Sequence, residues 1–480
     1  MIGSPMVRLE TLYRQNKSRA TRLGALLALS ILLATIVAAQ FVARDPGVRG
    51  GTVDAGQPLG SLAQTPGASN FFTDGLDRFQ EVDTVQRGLG PRFNTNQCAG
   101  CHSQPAVGGS SPNASVFPFV GPNPETQVYN LDGAQNTLPP FITPDGPVRE
   151  ARFKFFLTST GSLSNNADGG VHALFVISGR SDAGTCALKQ PDFAHHLALN
   201  NVSFRIPTPT FGAGLIENIS EETILANMRA NSFAKQSLGI SGHPNRDGND
   251  GMISRFGWKA QNKSLEIFSG EAYNVEMGVT NELFPNERAN PDEAQRGGLP
   301  AACRLNPTPE DATNLAAAQD SGVPGDASQF AMFMRLSAPP TASLTIPGGA
   351  TAITSGRQVF AAIGCALCHT PALQTAPSRI TPSLSQVNAN LYSDLLVHNM
   401  GNNLADGVTQ GAAGPDEFRT APLWGIGQRI FFLHDGRTND LVNAIQQHGG
   451  FGSEANGVIH NFSNLTPQQK QNLLNFLRSL

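Results

Sequence analysis

A basic segment followed by a long apolar run is the first pattern along this 480-residue chain. Five basic residues lie between positions 8 and 22, and the apolar run extends from Leu23 to Ala43. This order is typical of an export signal, and Val37-Ala38-Ala39 offers small residues for cleavage. At roughly 20 residues the run is also long enough to cross a bilayer uncleaved. We therefore predict a signal peptide, or else an N-terminal membrane anchor, at residues 1–43. Either version places the rest of the chain in the periplasm, free or held at the inner membrane.

Elsewhere, apolar residues recur at helical spacing in short segments, which predicts short amphipathic helices. In residues 355–364, Val359, Phe360 and Ile363 share one face, and this helix leads directly into Cys365. At the C-terminus, Thr466-Pro467 has the residue types of an N-cap and a first helical position, and a helix follows to residue 480. The pattern also predicts helices within residues 71–93 and 220–229, and a strand or buried segment at residues 171–177.

Composition favours a loop-rich protein built from short helices. Hydrophobic residues make up 40% of the chain, enough for a sizeable core, whereas charged residues make up only 15%. The 50 glycines and 33 prolines indicate many turns. The net charge of −4 gives no sign of nucleic-acid binding. We expect membrane contact only through the N-terminal segment, and the roughly 400 residues after it suffice for two or three domains.

Two pentapeptides of the form Cys-x-x-Cys-His carry the clearest chemistry. The first consists of Cys98, Cys101 and His102 with two intervening residues, and the second of Cys365, Cys368 and His369. This is the spacing of a c-type haem attachment site, in which both thiols bond to the porphyrin and the histidine binds iron. A Cys-x-x-Cys pair alone also occurs in zinc sites and disulfide oxidoreductases. The adjacent histidine, the repetition and the exported context favour two covalently bound haems.

The two motifs lie far apart, so each is expected in a domain of its own. The predicted fold class is mainly α, with two cytochrome c-like haem domains in which helices before and after the motif pack over the porphyrin. The N-terminal domain is expected to be enlarged by a long loop-rich insertion with some β-structure. The predicted divisions are a flexible linker at 44–70, the N-terminal haem domain at 71–337, a linker at 338–350 and the C-terminal cytochrome c domain at 351–480.

Cys186 and Cys303 remain after the motifs are counted. An exported protein meets an oxidising compartment, so these two cysteines are predicted to form a disulfide. A catalytic thiol pair is the alternative, but the two residues are distant in sequence and form no Cys-x-x-Cys pair. The disulfide would close a long loop and stabilise the fold.

Several longer stretches give the chain a family resemblance over residues 71–480. The most specific are GLGPRFNTNQCAGCHSQPAVGG (88–109), DGGVHALFVISGR (168–180), FGAGLIENIS (211–220), SRFGWKAQNKSLE (254–266), VEMGVTNELFP (275–285), DLLVHNMGNNLADG (394–407) and APLWGIGQRIFFLHDGRTNDLVNAIQQHGG (421–450). On these stretches the chain resembles the di-haem oxidoreductases, a family of proposed peroxidases and thiol oxidoreductases. That family is distantly similar to bacterial dihaem cytochrome c peroxidases and to the dihaem enzyme that matures the tryptophan-derived quinone of methylamine dehydrogenase. The resemblance implies two haems and an oxidoreductase.

The resemblance also implies a sixth ligand for the second haem. The peroxidases have a His-Asp-Gly turn and, fourteen residues later, an axial ligand that is usually methionine. The turn here is His434-Asp435-Gly436, and fourteen residues after His434 lies His448. His448 is therefore the leading candidate, which makes this haem bis-histidine. Met400 is the main competitor, because thioether ligation is ordinary in cytochromes c, and His398 is the third candidate.

Calcium is the other metal that the sequence raises. The peroxidases have a Thr-x-Pro segment just before the His-Asp-Gly turn, which supplies calcium-binding carbonyls between the domains. Arg429-Ile430-Phe431 stands there instead, so the resemblance leaves an interdomain calcium doubtful. A second acidic segment, Asp247–Gly251, lacks the length and the terminal glutamate of an EF-hand, so we favour a turn there over a calcium loop.

Peroxidase-like chemistry at the N-terminal haem is the function that these features favour. A haem with an open sixth position binds peroxide or oxygen, whereas a haem with two strong ligands only stores and passes electrons. Substrate reduction is therefore expected at the first haem and electron relay at the second. His172 is the leading candidate for proton transfer at the first haem, with Glu217 and Glu276 as alternatives, and each also suits a structural role. Trp258 and Trp424 are candidate electron relays or core residues.

The expected partners are a small soluble electron donor or acceptor, such as a cytochrome or a cupredoxin, and a small-molecule oxidant. Three other functions stay open. They are a non-catalytic dihaem electron carrier with both irons six-coordinate, an oxygenase or thiol oxidase on the same scaffold, and a redox sensor or metal-uptake accessory protein. A high-spin ferric signal separates the enzymes from the electron carrier.

Overall fold

The structure, a computed structural model, describes residues 42–50, 55–90, 93, 95–112, 123–126, 138–172, 180–289, 298–318 and 322–480, with the backbone alone for residues 166–172. Almost all of the predicted export segment, residues 1–43, lies outside them. Within the described residues, no helix is long and apolar enough to span a membrane. Cleavage or anchoring of the N-terminal segment therefore stays a prediction.

Helices dominate the described residues. The α-helices are α1 Ala68–Phe79, α2 Cys98–Cys101, α3 Phe193–Ala198, α4 Ala213–Glu217, α5 Glu221–Arg229, α6 Ser232–Leu238, α7 Leu265–Glu276, α8 Asp326–Leu336, α9 Ala350–Ala362, α10 Gly401–Leu404, α11 Leu441–Gln446, α12 Asn456–Ser463 and α13 Pro467–Ser479. The strands are β1 Glu150–Leu157, β2 Leu163–His172, β3 Val202–Arg205, β4 Leu373–Gln374, β5 Asn388–Ala389, β6 Val397–Asn399 and β7 Glu417–Arg419. A mixed fold of many short helices and small sheets agrees with the mainly α prediction.

The four helices predicted from apolar spacing are present as α1, α5, α9 and α13. Helix α5 begins after Ser220, whose side chain accepts a hydrogen bond from the backbone N–H of Thr223. Helix α13 begins with a full capping box, in which Thr466 and Gln469 each bind the other's backbone N–H. Helix α1 ends at Phe79, well before the predicted limit of residue 93. Strand β2 ends at His172, and residues 173–177 of the predicted strand or buried segment lie outside the described residues.

Helices α1 and α8 form a close pair beside the first motif. Gly75 of α1 lies against the backbone of α8, where a Cβ atom would clash with the carbonyl oxygen of Gln329. One turn later, the Phe79 ring packs 4.9 Å from the ring of Phe333. The edge of the Phe79 ring also faces the ring of His102, with the centroids 6.0 Å apart. This helix pair therefore buries one side of the first motif's histidine.

Helices α9 and α13 repeat this arrangement beside the second motif. Gly356 of α9 lies against the carbonyl oxygen of Asn472, so that again only glycine fits. Phe360, one turn later, packs 5.4 Å from Phe476 and 6.3 Å from the ring of His369. Both pairs thus combine a Gly-x-x-x-Phe helix before the motif with a later helix that presents a second phenylalanine. The chain contains the same local structure twice.

A small antiparallel sheet lies between the two members of the first helix pair in sequence. Its strand order is β2-β1-β3, and Ala151 of β1 lies opposite His172 of β2 on one side and Phe204 of β3 on the other. The remaining two sheets each have only two strands, β4-β5 and β6-β7. The three-stranded sheet supplies the β-structure predicted within the long insertion.

The largest hydrophobic core unites residues from both sides of the predicted 338–350 linker. Phe72 and Phe333 of the first helix pair belong to the same buried cluster as Leu396 and Trp424. The prediction of a flexible linker at residues 44–70 needs correction, because its described part is packed. Leu59 and Leu62 are buried in this core, and Asp45 forms an ion pair with Arg478 of α13 at 2.7 Å. Apolar side chains among the glycines and prolines hold this segment on the protein surface.

Cys186 and Cys303 form the predicted disulfide. The two residues are separated by 117 positions and belong to a small core of their own with Ala183, Leu188 and Leu299. The segment Asp247–Gly251 is a turn, as favoured. The Lys263 ammonium lies 2.6 Å from the Asp250 carboxylate and 3.6 Å from that of Asp247, so a side-chain cation neutralises this acidic turn.

Replacing both Cys186 and Cys303 with serine is expected to lower the free energy of unfolding by about 5 kcal/mol, the loop-entropy value for a loop of this length. Denaturant unfolding of the variant and of the parent protein measures the difference. The variant should keep its haem absorption, because neither cysteine belongs to a Cys-x-x-Cys-His motif. An unfolding midpoint equal to that of the parent would contradict a stabilising disulfide.

Candidate functional site

The first motif presents a histidine with a defined tautomer. Cys98–Cys101 form the short helix α2, and His102 follows as its C-cap residue. The ring nitrogen Nδ1 of His102 lies 3.1 Å from the carbonyl oxygen of Gly109. Because a carbonyl oxygen only accepts hydrogen bonds, Nδ1 carries the proton and the lone pair is on Nε2. A backbone carbonyl that fixes the tautomer in this way is usual for a metal-binding histidine.

The loop from His102 to Ser110 folds back to place that carbonyl. Its ends are joined by hydrogen bonds from Gly108 N to His102 O (2.9 Å) and from Ser110 N to Gln104 O (2.8 Å). A Cβ atom at Gly109 would overlap the backbone of Gln104, so only glycine allows this close turn. The small residues after the first motif therefore position its histidine.

His102 faces a cavity of about 710 Å³. The cysteines of the first motif also line it, and Cys98 Sγ lies 3.9 Å from Met277 Sδ. Other lining residues come from α7, α8 and the segment after β3, and they include Tyr273, Glu276, Met277, Thr208, Phe330 and Met334. The volume falls in the range of cofactor and ligand pockets. Its mixed polar and apolar wall suits a large ring with polar substituents.

Glu276 and Glu217, the two candidate carboxylates, occupy different environments. Glu276 lines the cavity, and its Oε2 atom lies 3.9 Å from Nε2 of His102, with 41% of the side chain exposed. Glu217 forms an ion pair with Arg335 at 2.6 Å and accepts a hydrogen bond from the N–H of Leu265, the first residue of α7. The structure therefore places Glu276 beside the histidine, whereas Glu217 joins α4, α7 and α8. His172 ends strand β2, and its side chain lies outside the described atoms.

A buried carboxylate pair adjoins the cavity wall. The Tyr273 ring lines the cavity, and its hydroxyl lies 3.2 Å from Asp83 Oδ2 and 3.4 Å from Asp326 Oδ2. Burial, together with the negative charges of Asp326 and Glu81, raises the pKa of Asp83 to about 7. Burial, Asp311 and Glu81 raise the pKa of Asp326 to about 6. This cluster holds a proton near neutral pH, a feature that no sequence motif indicated.

The second motif repeats the histidine geometry of the first. Cys365–Leu367 form a 3-10 turn directly after α9, and Nδ1 of His369 donates a hydrogen bond to the carbonyl oxygen of Tyr392 at 3.0 Å. Burial, followed by the nearby ring of His448, lowers the pKa of His369 to about 4. His369 is therefore a neutral imidazole with its lone pair on Nε2, the form that binds a metal ion.

His448 has the same arrangement and lies close enough to His369 to influence its charge. It follows α11, and its Nδ1 donates to the carbonyl oxygen of Ala444, one helical turn earlier, at 2.8 Å. Burial lowers the pKa of His448 below its ordinary value. The structure thus brings together two neutral histidines, His369 and His448, each with a free Nε2.

The two competitors of His448 lie in settings that do not suit ligation. His398 is clamped on both ring nitrogens, by Glu454 Oε2 at 2.8 Å and by Asp394 Oδ2 at 3.0 Å. Burial alone would lower its pKa, but these carboxylates raise it well above 6.5, so His398 is an imidazolium without a free lone pair. Met400 packs in a separate cluster with Trp258 and Ile430, apart from the core that contains Cys365 and Cys368.

His398, Cys368 and Asp394 form a group whose ligand atoms lie close enough together to hold a metal ion. It is the one such group among the described residues. The two ring nitrogens of His398 are already bound to carboxylates, and Cys368 belongs to the second motif. The first motif does not contribute to any such group within the described residues.

Two buried arginines lie beside the large cavity. A small pocket of about 40 Å³ adjoins the large cavity, and its lining residues include Trp258, Trp424, Arg419 and Arg429. Burial lowers the pKa of each arginine to about 10, so both remain positively charged at neutral pH. Arg429 stands where the peroxidases have the first residue of their calcium-binding segment. A buried guanidinium there does not fit a calcium ion.

Comparison with known proteins connects these sites to a family. The family model described as "Di-haem oxidoreductase, putative peroxidase" matches residues 167–480. The chain belongs to the di-haem oxidoreductase family. The match includes the second motif, Glu276 and His448, whereas the first motif precedes it. Membership makes haem the cofactor, and the cavity, the free Nε2 atoms and the buried arginines fit such a group.

The other comparisons give little further information about this di-haem oxidoreductase. A search of curated proteins found no match. One solved structure, Kuenenia stuttgartiensis hydrazine synthase pressurized with xenon, is 20% identical to the chain with a TM-score of 0.22. The similarity covers 34% of this chain and 56% of that one.

Proposed function

We propose that this protein is an exported dihaem c-type cytochrome that reduces a small oxidant such as peroxide at its N-terminal haem and relays electrons through its C-terminal haem. The observation that carries the proposal is the difference between the two histidine sites. His102 faces a large cavity and the carboxylate of Glu276, whereas His369 lies near a second neutral histidine, His448. The first site suits a ligand that must be protonated, and the second suits electron transfer.

The bound haems supply the one-electron steps and, at the first site, the position for the oxidant. Reduction of hydrogen peroxide consumes two electrons and two protons and yields two water molecules. Glu276 is our choice for the proton-transfer group of this site, because its side chain lines the same cavity as His102 and a carboxylate takes up a proton on one oxygen and releases it from another. The bond from His102 Nδ1 to Gly109 keeps Nε2 basic and oriented into the cavity.

The repeated helix pairs support two cytochrome c-like units. In each unit a Gly-x-x-x-Phe helix crosses a later helix and covers the motif histidine, with Phe79 at the first and Phe360 at the second. Covalent attachment follows from the two cysteines of each motif. The long segment between α1 and α8, including the three-stranded sheet, is then an insertion in the first unit.

Intact mass is expected to show two covalently bound haems per chain. The mature holoprotein should exceed its polypeptide mass by two haem units, and a denaturing gel should retain haem staining. Changing both Cys98 and Cys101 to alanine should leave one haem, at Cys365 and Cys368. The matched control, in which Cys186 and Cys303 are changed, should keep both. Zinc with no haem in the purified protein would overturn the proposal.

Export and an electron-transfer partner are parts of the same proposal. Haem c is attached outside the cytoplasmic membrane, which agrees with the basic and apolar N-terminal segment. We propose a small soluble cytochrome or cupredoxin as the electron donor.

A dihaem electron carrier is the second candidate. It is favoured by the methionines that line the first cavity, since Met277 or Met334 offers a thioether as a sixth ligand. The ferric spectrum separates the two functions, because an enzyme with an open first haem shows a high-spin signal that cyanide removes. Anaerobic stopped-flow mixing of the reduced protein with peroxide, oxygen and thiols then distinguishes a peroxidase from an oxygenase or a thiol oxidase.

A further inference from the structure

The small pocket that adjoins the large cavity is lined by two buried positive charges. Arg419 and Arg429 are 8% and 7% exposed, and Trp258 and Trp424 lie on the same wall. This pocket shares six lining residues with the large cavity, including Trp258 and Met334. It therefore lies directly beside the first haem site and faces residues of the C-terminal unit.

Neither arginine has a carboxylate partner among the described residues. Arg419 Nε donates to the carbonyl oxygen of Gly257 at 3.0 Å, and no ion pair involves either side chain. In Arg429, the atoms Nε and Nη2 are buried with no hydrogen-bond partner. The two guanidinium groups also lie close enough for Arg429 to lower the pKa of Arg419, after burial itself. Two neighbouring buried cations, one of which (Arg429) has unused donors, call for an anion.

We propose that Arg419 and Arg429 bind haem propionate carboxylates that enter this pocket. The inference rests on the two haems of the proposed function. A carboxylate matches the forked donors of a guanidinium, and charge-assisted bonds of this kind are strong in a buried setting. The carboxylates come from the first haem, whose cavity adjoins the pocket, or from the second haem, which is held by the same unit as both arginines. The experiment below separates these sources.

The arginines then have two effects besides binding. Each positive charge near a haem stabilises its reduced form, which has one more electron, so the pair raises the reduction potential. Arg429 also lies over the ring of Trp258, with its central carbon 5.9 Å from the centroid, and Trp258 lines both the pocket and the cavity. Arg429 therefore joins the propionate site to the aromatic residue between the units. Both arginines act as positioning residues that set a potential.

The test is a redox titration of the holoprotein followed by absorbance. Arg429→Gln and Arg419→Gln should each lower the midpoint potential of one haem. At a fixed applied potential, the ratio of reduced to oxidised haem should fall tenfold or more. For a one-electron couple, a tenfold change corresponds to a shift of about 59 mV. Arg429→Lys keeps a charge and should shift the potential less. Arg357→Gln is the control, because this guanidinium also lies over an aromatic ring, Phe476 at 5.7 Å, but is exposed.

Single-haem proteins identify which propionates are bound. In the background of Cys98→Ala with Cys101→Ala, only the second haem remains, and in Cys365→Ala with Cys368→Ala only the first. The shift caused by Arg429→Gln should persist in one background and vanish in the other. The proposal is wrong if the midpoint potentials of both haems are the same in Arg429→Gln, Arg419→Gln and Arg429→Lys as in the control variant Arg357→Gln. A parent protein that carries no haem would instead overturn the proposed function.

Discussion

Replacing His448 with alanine is expected to change the second haem from low-spin to high-spin and to open it to cyanide. His369 and His448 are both neutral, and each has its Nδ1 proton on a backbone carbonyl, at Tyr392 and Ala444. Two such imidazoles would together hold a haem iron in a strong ligand field, and loss of one would leave a position open to cyanide. The first haem, with His102 at a separate cavity, should keep its spectrum. Electron paramagnetic resonance of the ferric protein and cyanide titration measure both changes.

Met400→Ala is the matched control, since Met400 was the main competitor in the sequence. Its side chain packs with Trp258 and Ile430, so truncation should lower stability but leave the low-spin signal intact. His398→Ala should also keep that signal, because both ring nitrogens of His398 are bound to carboxylates. An unchanged spectrum in His448→Ala together with a changed one in Met400→Ala would show that methionine is the ligand.

The local parts of this protein follow from its sequence. Both haem motifs, the Thr466 cap and the apolar faces of α9 and α13 depend on residues close together in the chain. His448 was selected through a spacing of fourteen residues from His434, and that stretch is likewise local. The disulfide of Cys186 and Cys303 could be predicted by elimination, because the other four cysteines belong to the two Cys-x-x-Cys-His motifs.

The remaining site residues depend on contacts that leave no pattern in the sequence. The carbonyl groups of Gly109 and Tyr392 orient the motif histidines, and every residue has a carbonyl group. Arg429 stands within an apolar stretch, GIGQRIFFLH, where a lone charge is the only signal of its buried role. The segment with Leu59 and Leu62 looked like a flexible linker because glycine and proline are frequent there. Its leucines reach a core built largely from distant residues, including Leu336.

The two candidate carboxylates show the same limit. Glu217 is the last residue of α4, and Glu276 is the last residue of α7. The neighbouring residues in the sequence do not show which of the two has a structural role. Glu217 is separated from its partner Arg335 by 118 residues, so the ion pair that gives it a structural role is visible only in the fold. Glu276 and His102 are likewise far apart in the sequence, and only the fold brings their side chains to 3.9 Å from each other. Only the fold shows that Glu276 lines the cavity of His102 and that Glu217 is not among its lining residues, which is why our proposal uses Glu276.

Changing Glu276 to glutamine is therefore expected to slow peroxide turnover by about 10²–10⁴-fold, the usual contribution of a general acid–base group. Glutamine keeps the shape of the side chain but neither takes up nor releases a proton at this position. Cyanide binding at the first haem should be retained, since the cavity stays open. Steady-state turnover with a reduced small redox protein as donor, and stopped-flow mixing with peroxide, measure the two effects.

Glu217→Gln is the matched control for this change. The same substitution at Glu217 weakens the ion pair with Arg335 and the bond to Leu265 N–H, so it should lower the unfolding temperature while the folded protein keeps its turnover rate. His172→Gln tests the third candidate under the same assay. Parental turnover in Glu276→Gln, with a large loss in His172→Gln, would transfer the proton-transfer role to His172. Loss of turnover in Glu217→Gln at full stability and full haem content would transfer it to Glu217.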